Sequence, residues 1–213
     1  SVGPSFRVLC KATYEVVADA TVCRCANQTP LIGDTHTGDP EITGVRYESD
    51  IVPFKPRADV LCVGKAYAPH NVPVPEYSVG FGLGSWFKTI RVIGNRRWVP
   101  ALGGLIHRMT EPEPVKSIVV SYENAFGGKD AGKPDGLRAF APNPIGKGYS
   151  ERGGGLNNLA LPNLEDPSDP ITSWRSRPKP MSFGPVGRTW EPRRSRVGTY
   201  DRRWLKERAP DLP

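Results

Sequence analysis

The sequence predicts an all-β fold, mainly antiparallel sheet or a β-sandwich, with long ordered Gly- and Pro-rich loops and few short helices. Three observations carry that prediction. Several segments alternate apolar and polar residues with a period of two, the mark of a half-buried strand. The chain holds 23 Gly and 23 Pro among 213 residues, well above the roughly 12% of ordinary usage. Both residues disfavour helix interiors, Gly through backbone entropy and Pro through its missing N–H. Turn-forming dipeptides also separate the β-favouring runs.

Along residues 6–17, Phe6, Val8, Cys10, Ala12, Tyr14 and Val16 alternate with Arg7, Lys11, Thr13 and Glu15, which predicts a half-buried strand. Residues 59–67 are apolar on both faces, Val60 and Cys62 on one and Leu61 and Val63 on the other, between Pro56 and Pro69. That pattern predicts a central strand covered on each side. Residues 77–83 and 86–93 form two strands joined across Gly84 and Ser85, a pair suited to a two-residue hairpin because Gly accepts positive φ. Gly94 and Asn95 then turn the chain into 96–99, so that 59–99 reads as an antiparallel meander. Residues 116–122 supply one further strand.

From 125 to 198 there are 22 Gly or Pro in 74 residues and no sustained period. Phe126, Phe140, Tyr149, Leu161, Trp174, Phe183 and Trp190 punctuate this stretch, whereas disordered segments lack aromatics. Ordered loops anchored on the sheet are therefore expected, with 129–136 and 152–155 as the mobile parts. The whole of 1–213 reads as a single domain. Residues 1–124 form its strand-rich core, and 125–213 form a loop-rich, basic, aromatic part packed on that core.

The formal charge of +7 is concentrated. Between Trp174 and Arg208 eleven Lys or Arg face three acids, Glu191, Asp201 and Glu207. Such a stretch suits an acidic protein, an anionic membrane or nucleic acid. No run of 18 apolar residues predicts a membrane span. Cys10, Cys23, Cys25 and Cys62 include no Cys-x-x-Cys pair, and His36, His70 and His107 are the chain's three histidines, so no zinc site is expected. Cys10 and Cys62 lie in apolar runs and are expected to pack as small hydrophobes, reduced, in a cytoplasmic protein.

Candidate chemistry is sparse. Gly127-Gly128-Lys129 lacks the spaced first Gly of a phosphate loop, and Asp130 stands where Ser or Thr would bind magnesium. Gly80, Gly82 and Gly84 are spaced for a hairpin and not for a dinucleotide fingerprint. Asp34, His36 and Asp39 share a polar loop without further ligands of recognisable spacing. Ser121 lacks a nucleophile elbow, and His107 has no named partner. Glu48, Asp50 and Glu123 offer the strongest enzymatic reading, a carboxylate-dependent hydrolase that splits acid and base roles. The competing reading has them bonded to backbone N–H groups or to Arg. No catalytic residue, metal or cofactor is expected.

Residues 122–128 set Tyr122 and Phe126 around a Glu123-Asn124 pair and end in Gly127 and Gly128, which reads as a strand driven into a tight turn. Asn143 with Pro144, and Asn163 with Glu165, repeat the device, since Pro fixes φ while Asn bonds to the local chain. In the basic region Phe183, Arg188, Trp190, Arg193, Tyr200 and Trp204 are the expected partner-binding residues, because Trp and Arg are enriched at binding hot spots. A nucleic-acid-binding module using this region is the other alternative, although no recognised module is present.

A series of motifs runs through the chain in order: Lys11-Ala12-Thr13-Tyr14, Tyr47-Glu48-Ser49-Asp50, Pro53-Phe54-Lys55, Gly64-Lys65-Ala66-Tyr67-Ala68-Pro69, Gly94-Asn95-Arg96-Arg97-Trp98 and Tyr122-Glu123-Asn124-Ala125-Phe126-Gly127-Gly128. It continues with Asn143-Pro144-Ile145-Gly146, Leu161-Pro162-Asn163-Leu164-Glu165, Phe183-Gly184-Pro185, Trp190-Glu191-Pro192-Arg193 and Gly198-Thr199-Tyr200-Asp201. With these motifs the chain resembles a bacterial family of domains of unknown function whose members act as type VI secretion effector adaptors or chaperones. The resemblance implies a cytoplasmic protein that binds a toxin effector. It also implies that the protein helps mount that effector on the secretion spike, a valine-glycine repeat protein or its tip. No catalysis is implied. Cys23 and Cys25 depart from the pattern, and the family's members continue past the position of Leu212 and Pro213, so the chain reads as cut short there.

Overall fold

The computed structural model describes residues 8–40, 43–51, 58–133, 138–187 and 190. Its regular elements are short and almost all β. In chain order the strands are β1 Tyr14–Glu15, β2 Cys23–Arg24, β3 Thr35–His36, β4 Val45–Tyr47, β5 Lys65–Tyr67, β6 Glu76–Leu83 and β7 Trp86–Ile93. They continue as β8 Trp98–Ala101, β9 Ile106–Met109, β10 Ser117–Val119, β11 Phe126–Gly127, β12 Lys147–Gly148 and β13 Leu164–Glu165. Single turns of 3-10 helix occupy Pro69–Asn71, Leu102–Gly104 and Tyr122–Asn124. The expected β-rich class with few short helices is what the chain adopts.

The hairpin β6–β7 organises the molecule. Its strands pair antiparallel from Glu76↔Ile93 to Leu83↔Trp86, closed by Gly84 at φ 58° and Ser85, as the turn chemistry demands. Alternation then sorts the side chains. Tyr77, Val79, Phe81, Ile90 and Val92 face inward, where Ile90 and Val92 meet Ala66, Val120, Leu164, Met181 and Phe183 in one core cluster. β13 completes the sheet on the far edge of β7, in the order β13-β7-β6. The loop-rich half thus supplies a strand to the central sheet. A second cluster of Trp98, Phe126, Leu156, Leu161 and Ile171 is flanked by Phe140, Tyr149 and Trp174. The expected aromatic anchors are therefore the residues that hold the loops.

Several expectations are corrected. Over the described residues of 6–17, pairing is confined to Tyr14 and Glu15, opposite Arg24 and Cys23, while Val8 is 84% and Val16 80% exposed. Among the described residues nothing stacks on the apolar face of this segment, so alternation creates no burial. Side chains hold it instead: Lys11 Nζ donates to Asp50 at 2.6 Å, and the Thr13 N–H donates to Gln28 Oε1 at 2.7 Å. Cys10, expected inside, is exposed. All four cysteines are unpaired.

Residues 59–67 form a strand only at β5, which pairs with β10. One face is covered, by Cys62 and Ala66 against the core, while Val63 and Tyr67 remain exposed on the other. The meander stops after the hairpin. β8 pairs with β9, because the far edge of β7 is already occupied by β13. Lys129–Lys133 and 152–155, expected to be loose, pack against each other over their described residues. Asp130 is buried, its Oδ1 accepts the N–H groups of Gly132 and Glu151 at 3.0 Å each, and a Cβ on Gly155 would lie 2.0 Å from the Ala131 carbonyl oxygen.

Candidate functional site

The motif residues of the loop-rich half assemble into a hydrogen-bonded frame. Asn143 is fully buried. Its Nδ2 donates to the carbonyls of Tyr122 at 2.8 Å and Phe126 at 2.9 Å, and its own carbonyl accepts the Gly128 N–H at 2.8 Å. Pro144 sits at the second position of the turn that follows, closed by the Gly146 N–H on the Asn143 carbonyl, where its fixed φ is at home. Gly127 and Gly128 adopt φ 144° and 90°. A Cβ would come within 2.2 Å of the Asn143 carbonyl oxygen from Gly127 and 2.1 Å of the Gly146 carbonyl oxygen from Gly128, so close backbone approach excludes any side chain.

Lys147 and the pair Arg96–Glu165 extend this frame to the central sheet. Lys147 Nζ donates to Asn124 Oδ1 at 3.0 Å and Asn163 Oδ1 at 2.6 Å, and Asn163 Nδ2 donates to the Ile93 carbonyl at 2.8 Å. Three loops are thereby tied to the end of β7. Burial holds the Lys147 ammonium below its ordinary pKa. Glu165 accepts from the buried Arg96 guanidinium and from the Ile171 N–H. Burial pushes its carboxyl up, against the pull of Arg96.

Beside the frame lies a groove of about 360 Å³ between β4, with Val45, Arg46 and Tyr47, and the segments Val63–Lys65 and Val119–Glu123. It adjoins a shallower basin of about 610 Å³ lined by Lys11, Glu48, Asp50 and Asp59. The candidate carboxylates are divided between the two, Glu123 lining the groove and Glu48 and Asp50 the basin. Glu123 Oε1 accepts the Gly44 N–H at 3.0 Å and the Thr37 hydroxyl at 3.1 Å. Burial pushes this carboxyl up, but hydrogen bonds from Ser121, its own N–H, Gly44 and Thr37 outweigh it and hold the group below the usual range. Asp50 is likewise held low, chiefly by the hydrogen bond from Lys11, with the Ile32 N–H adding to it. Both carboxylates hold chain segments in place. Neither has the raised pKa that a general acid needs.

The depressed Glu123 pKa has a defined consequence for stability. Because the folded-state value lies below the ordinary 4.5, the carboxylate's contribution is complete above that pH and is lost as pH falls through the folded value. Urea midpoints of wild type and Glu123→Gln are expected to differ near pH 7 and to draw together as pH falls below 4.5 and through the folded value. A difference that stays constant across that range would contradict the assignment.

Phe183, expected at the partner-binding surface, is a core residue: it is 8% exposed, its ring lies 5.6 Å from that of Phe81, and Lys88 Nζ sits 5.6 Å above it. An aromatic just before a Gly-Pro pair anchors loops and interfaces alike, and here the sheet claims it. Trp190 lies half-buried with its indole against Gly187. Arg188, Arg193, Tyr200 and Trp204 lie outside the described residues. Asp34 Oδ1 accepts the Ser49 N–H at 2.7 Å, and among the described residues no group of three His, Cys, Asp or Glu is placed to hold a metal ion. Sequence reasoning did not single out Lys147, Arg96 or the edge of β6. The first two carry a local signal, a cation directly after a Gly turn, in Gly146-Lys147 and Gly94-Asn95-Arg96.

Fold and site together define a β-rich protein whose motif residues hold loops in shape, with a groove beside them and, among the described residues, an edge strand at β6. The chain belongs to the bacterial family DUF2169, described as an uncharacterized protein conserved in bacteria, which matches residues 4–213. No curated protein matches the chain, and no solved structure does. Among the described residues no helix is long and apolar enough to cross a membrane.

Proposed function

We propose that this protein is a type VI secretion effector adaptor: it binds a toxin effector in the bacterial cytoplasm and helps load it onto the spike or its tip protein. The observation that supports this reading is the use made of the ordered motifs. Asn143, Lys147, Asn163, Arg96 and Glu165 all bond within the chain, which suits a rigid scaffold that presents a surface to a partner. The basic, aromatic stretch with Arg188, Trp190, Arg193, Tyr200 and Trp204 is proposed as part of that surface, since Trp and Arg dominate binding hot spots.

Co-expression with the toxin effector encoded beside its gene tests the proposal. A complex that survives gel filtration is expected, weakened by alanine at Arg188, Trp190 and Arg193 together. A folded chain that elutes without the effector would refute it.

A further inference from the structure

Four segments of the loop-rich half meet on one surface, and their charge is one-sided. A Cβ on Gly132 would lie 3.2 Å from the Gly154 Cα, and one on Gly153 would lie 2.9 Å from the Trp174 Cη2. This sets 129–133 against 152–155, and 152–155 against the indole. Arg177 closes the group: its Nη2 donates to the carbonyls of Ser150 at 2.7 Å and Glu151 at 3.2 Å, and its Nη1 to that of Trp174 at 2.9 Å. Arg138 joins through its carbonyl, which accepts the Asp130 N–H at 2.9 Å. Over the described residues of these segments, Lys129, Lys133, Arg138, Arg152, Arg175 and Arg177 are all exposed. The two carboxylates among them are engaged within the chain. Asp130 is buried and turned onto backbone N–H groups, while Glu151 accepts from Arg138 at 2.7 Å. Among the described residues Lys133, Arg152 and Arg175 form no ion pair.

A surface with this charge suits an anion, and its other features select among anionic partners. No ring here is free to stack a base. The Arg175 guanidinium lies 4.5 Å from the centroid of Trp174 and that of Arg177 lies 5.2 Å from the centroid of Tyr149, and Tyr149 packs on Phe126 and Phe140. Among its described residues the surface is built of loops, with no helix or two-stranded ribbon to enter a nucleic-acid groove. Among the described residues beyond Val119 no large apolar side chain is exposed, so a lipid surface would gain no insertion. Carboxylate side chains remain, and guanidinium forks pair with them bidentately. The chain's own 188–208 is a poor occupant, because its eight Lys or Arg against three acids carry the charge that this surface repels. A second copy presenting the same face would set like charge on like.

We infer that this surface docks an acidic segment of a partner polypeptide, whose carboxylates meet Lys133, Arg152 and Arg175. The loops that carry these side chains are fixed by their bonds to one another, so the cations are held in place before the partner arrives. The inference rests on the adaptor reading, with the effector as the polypeptide, and adds contacts outside the stretch from Arg188 to Trp204.

Titration of the co-encoded effector into the full chain at two salt concentrations tests it. Wild-type affinity should fall about tenfold or more as salt rises from ~0.05 M to ~0.5 M, because the pairs at an exposed surface are screened. Lys133→Gln, Arg152→Gln and Arg175→Gln combined should weaken low-salt binding about tenfold or more, and the matching Glu variant about a hundredfold, chiefly through slower association. Urea midpoints near that of wild type show that the variants fold; the Gln variant decides the matter if charge reversal disturbs folding. An effector that binds the Gln variant as tightly as wild type, or with an affinity indifferent to salt, overturns the docking surface and leaves the adaptor reading standing. No binding to wild type overturns both. A single-stranded oligonucleotide that wild type holds more tightly than the effector, and the Gln variant does not, would overturn the acidic polypeptide and give the surface to nucleic acid.

Discussion

Glu165→Ala is expected to destabilise the protein by about 3–5 kcal/mol, the usual cost of removing one member of a buried ion pair. Glu165 and Arg96 expose 1% and 8% of their side chains. The carboxylate also accepts the Ile171 N–H and sits in β13, directly against Arg91 of β7. Truncation strands a guanidinium among apolar groups and detaches the loop at 171 from the sheet edge. Glu165→Gln keeps shape and acceptor capacity, so a smaller loss is expected. Urea unfolding at neutral pH checks the order wild type, Gln, Ala. Equal midpoints for wild type and Ala would mean that the pair does not hold β13 in place.

Gly128→Ala is the second large effect, an expected loss of about 2–5 kcal/mol. Two costs combine. Gly128 sits at φ 90°, where an L side chain is strained, and its Cβ would be pressed to 2.1 Å from the Gly146 carbonyl oxygen. That oxygen belongs to backbone, so relief requires the whole 143–147 turn to shift, and with it Lys147 and its bonds to Asn124 and Asn163. For a domain of this size the melting temperature should fall by about 2–4 °C per kcal/mol. Gly84→Ala, at φ 58° with nothing within 4 Å of its Cβ, carries the strain without the clash and should cost clearly less. Equal losses at both glycines would remove the close-approach argument.

The β6–β7 hairpin was legible because two signals coincide there, period-two alternation and a two-residue turn with Gly at the strained position. Residues 6–17 show how far alternation alone reaches. It states which face could be buried, and among the described residues no element lies against that face. The anchoring of the loops by Phe126 and Leu161 was legible from composition, since aromatic and apolar residues within Gly- and Pro-rich sequence must pack somewhere. Whether such an anchor faces the core or a partner was not, which is why Phe183 belongs to the sheet although its surroundings suggested a surface. The links from Lys147 to Asn124 and Asn163 join chain segments with no shared period, so only tertiary structure brings them together. Glu123 was legible as a backbone-satisfying carboxylate, but its partners Thr37 and Gly44 lie far back along the chain, with no local pattern to name them.

The frame also explains how a loop-rich protein can present a defined surface. Asn143, Lys147 and Asn163 hold the loop-rich half against the end of β7.

The measurement that bears most directly on the adaptor reading is calorimetric titration of the co-encoded effector into the full chain. Saturable binding with Kd in the micromolar range or tighter, about −8 kcal/mol or more favourable, is the predicted result. A flat titration against a chain shown to be folded would contradict it.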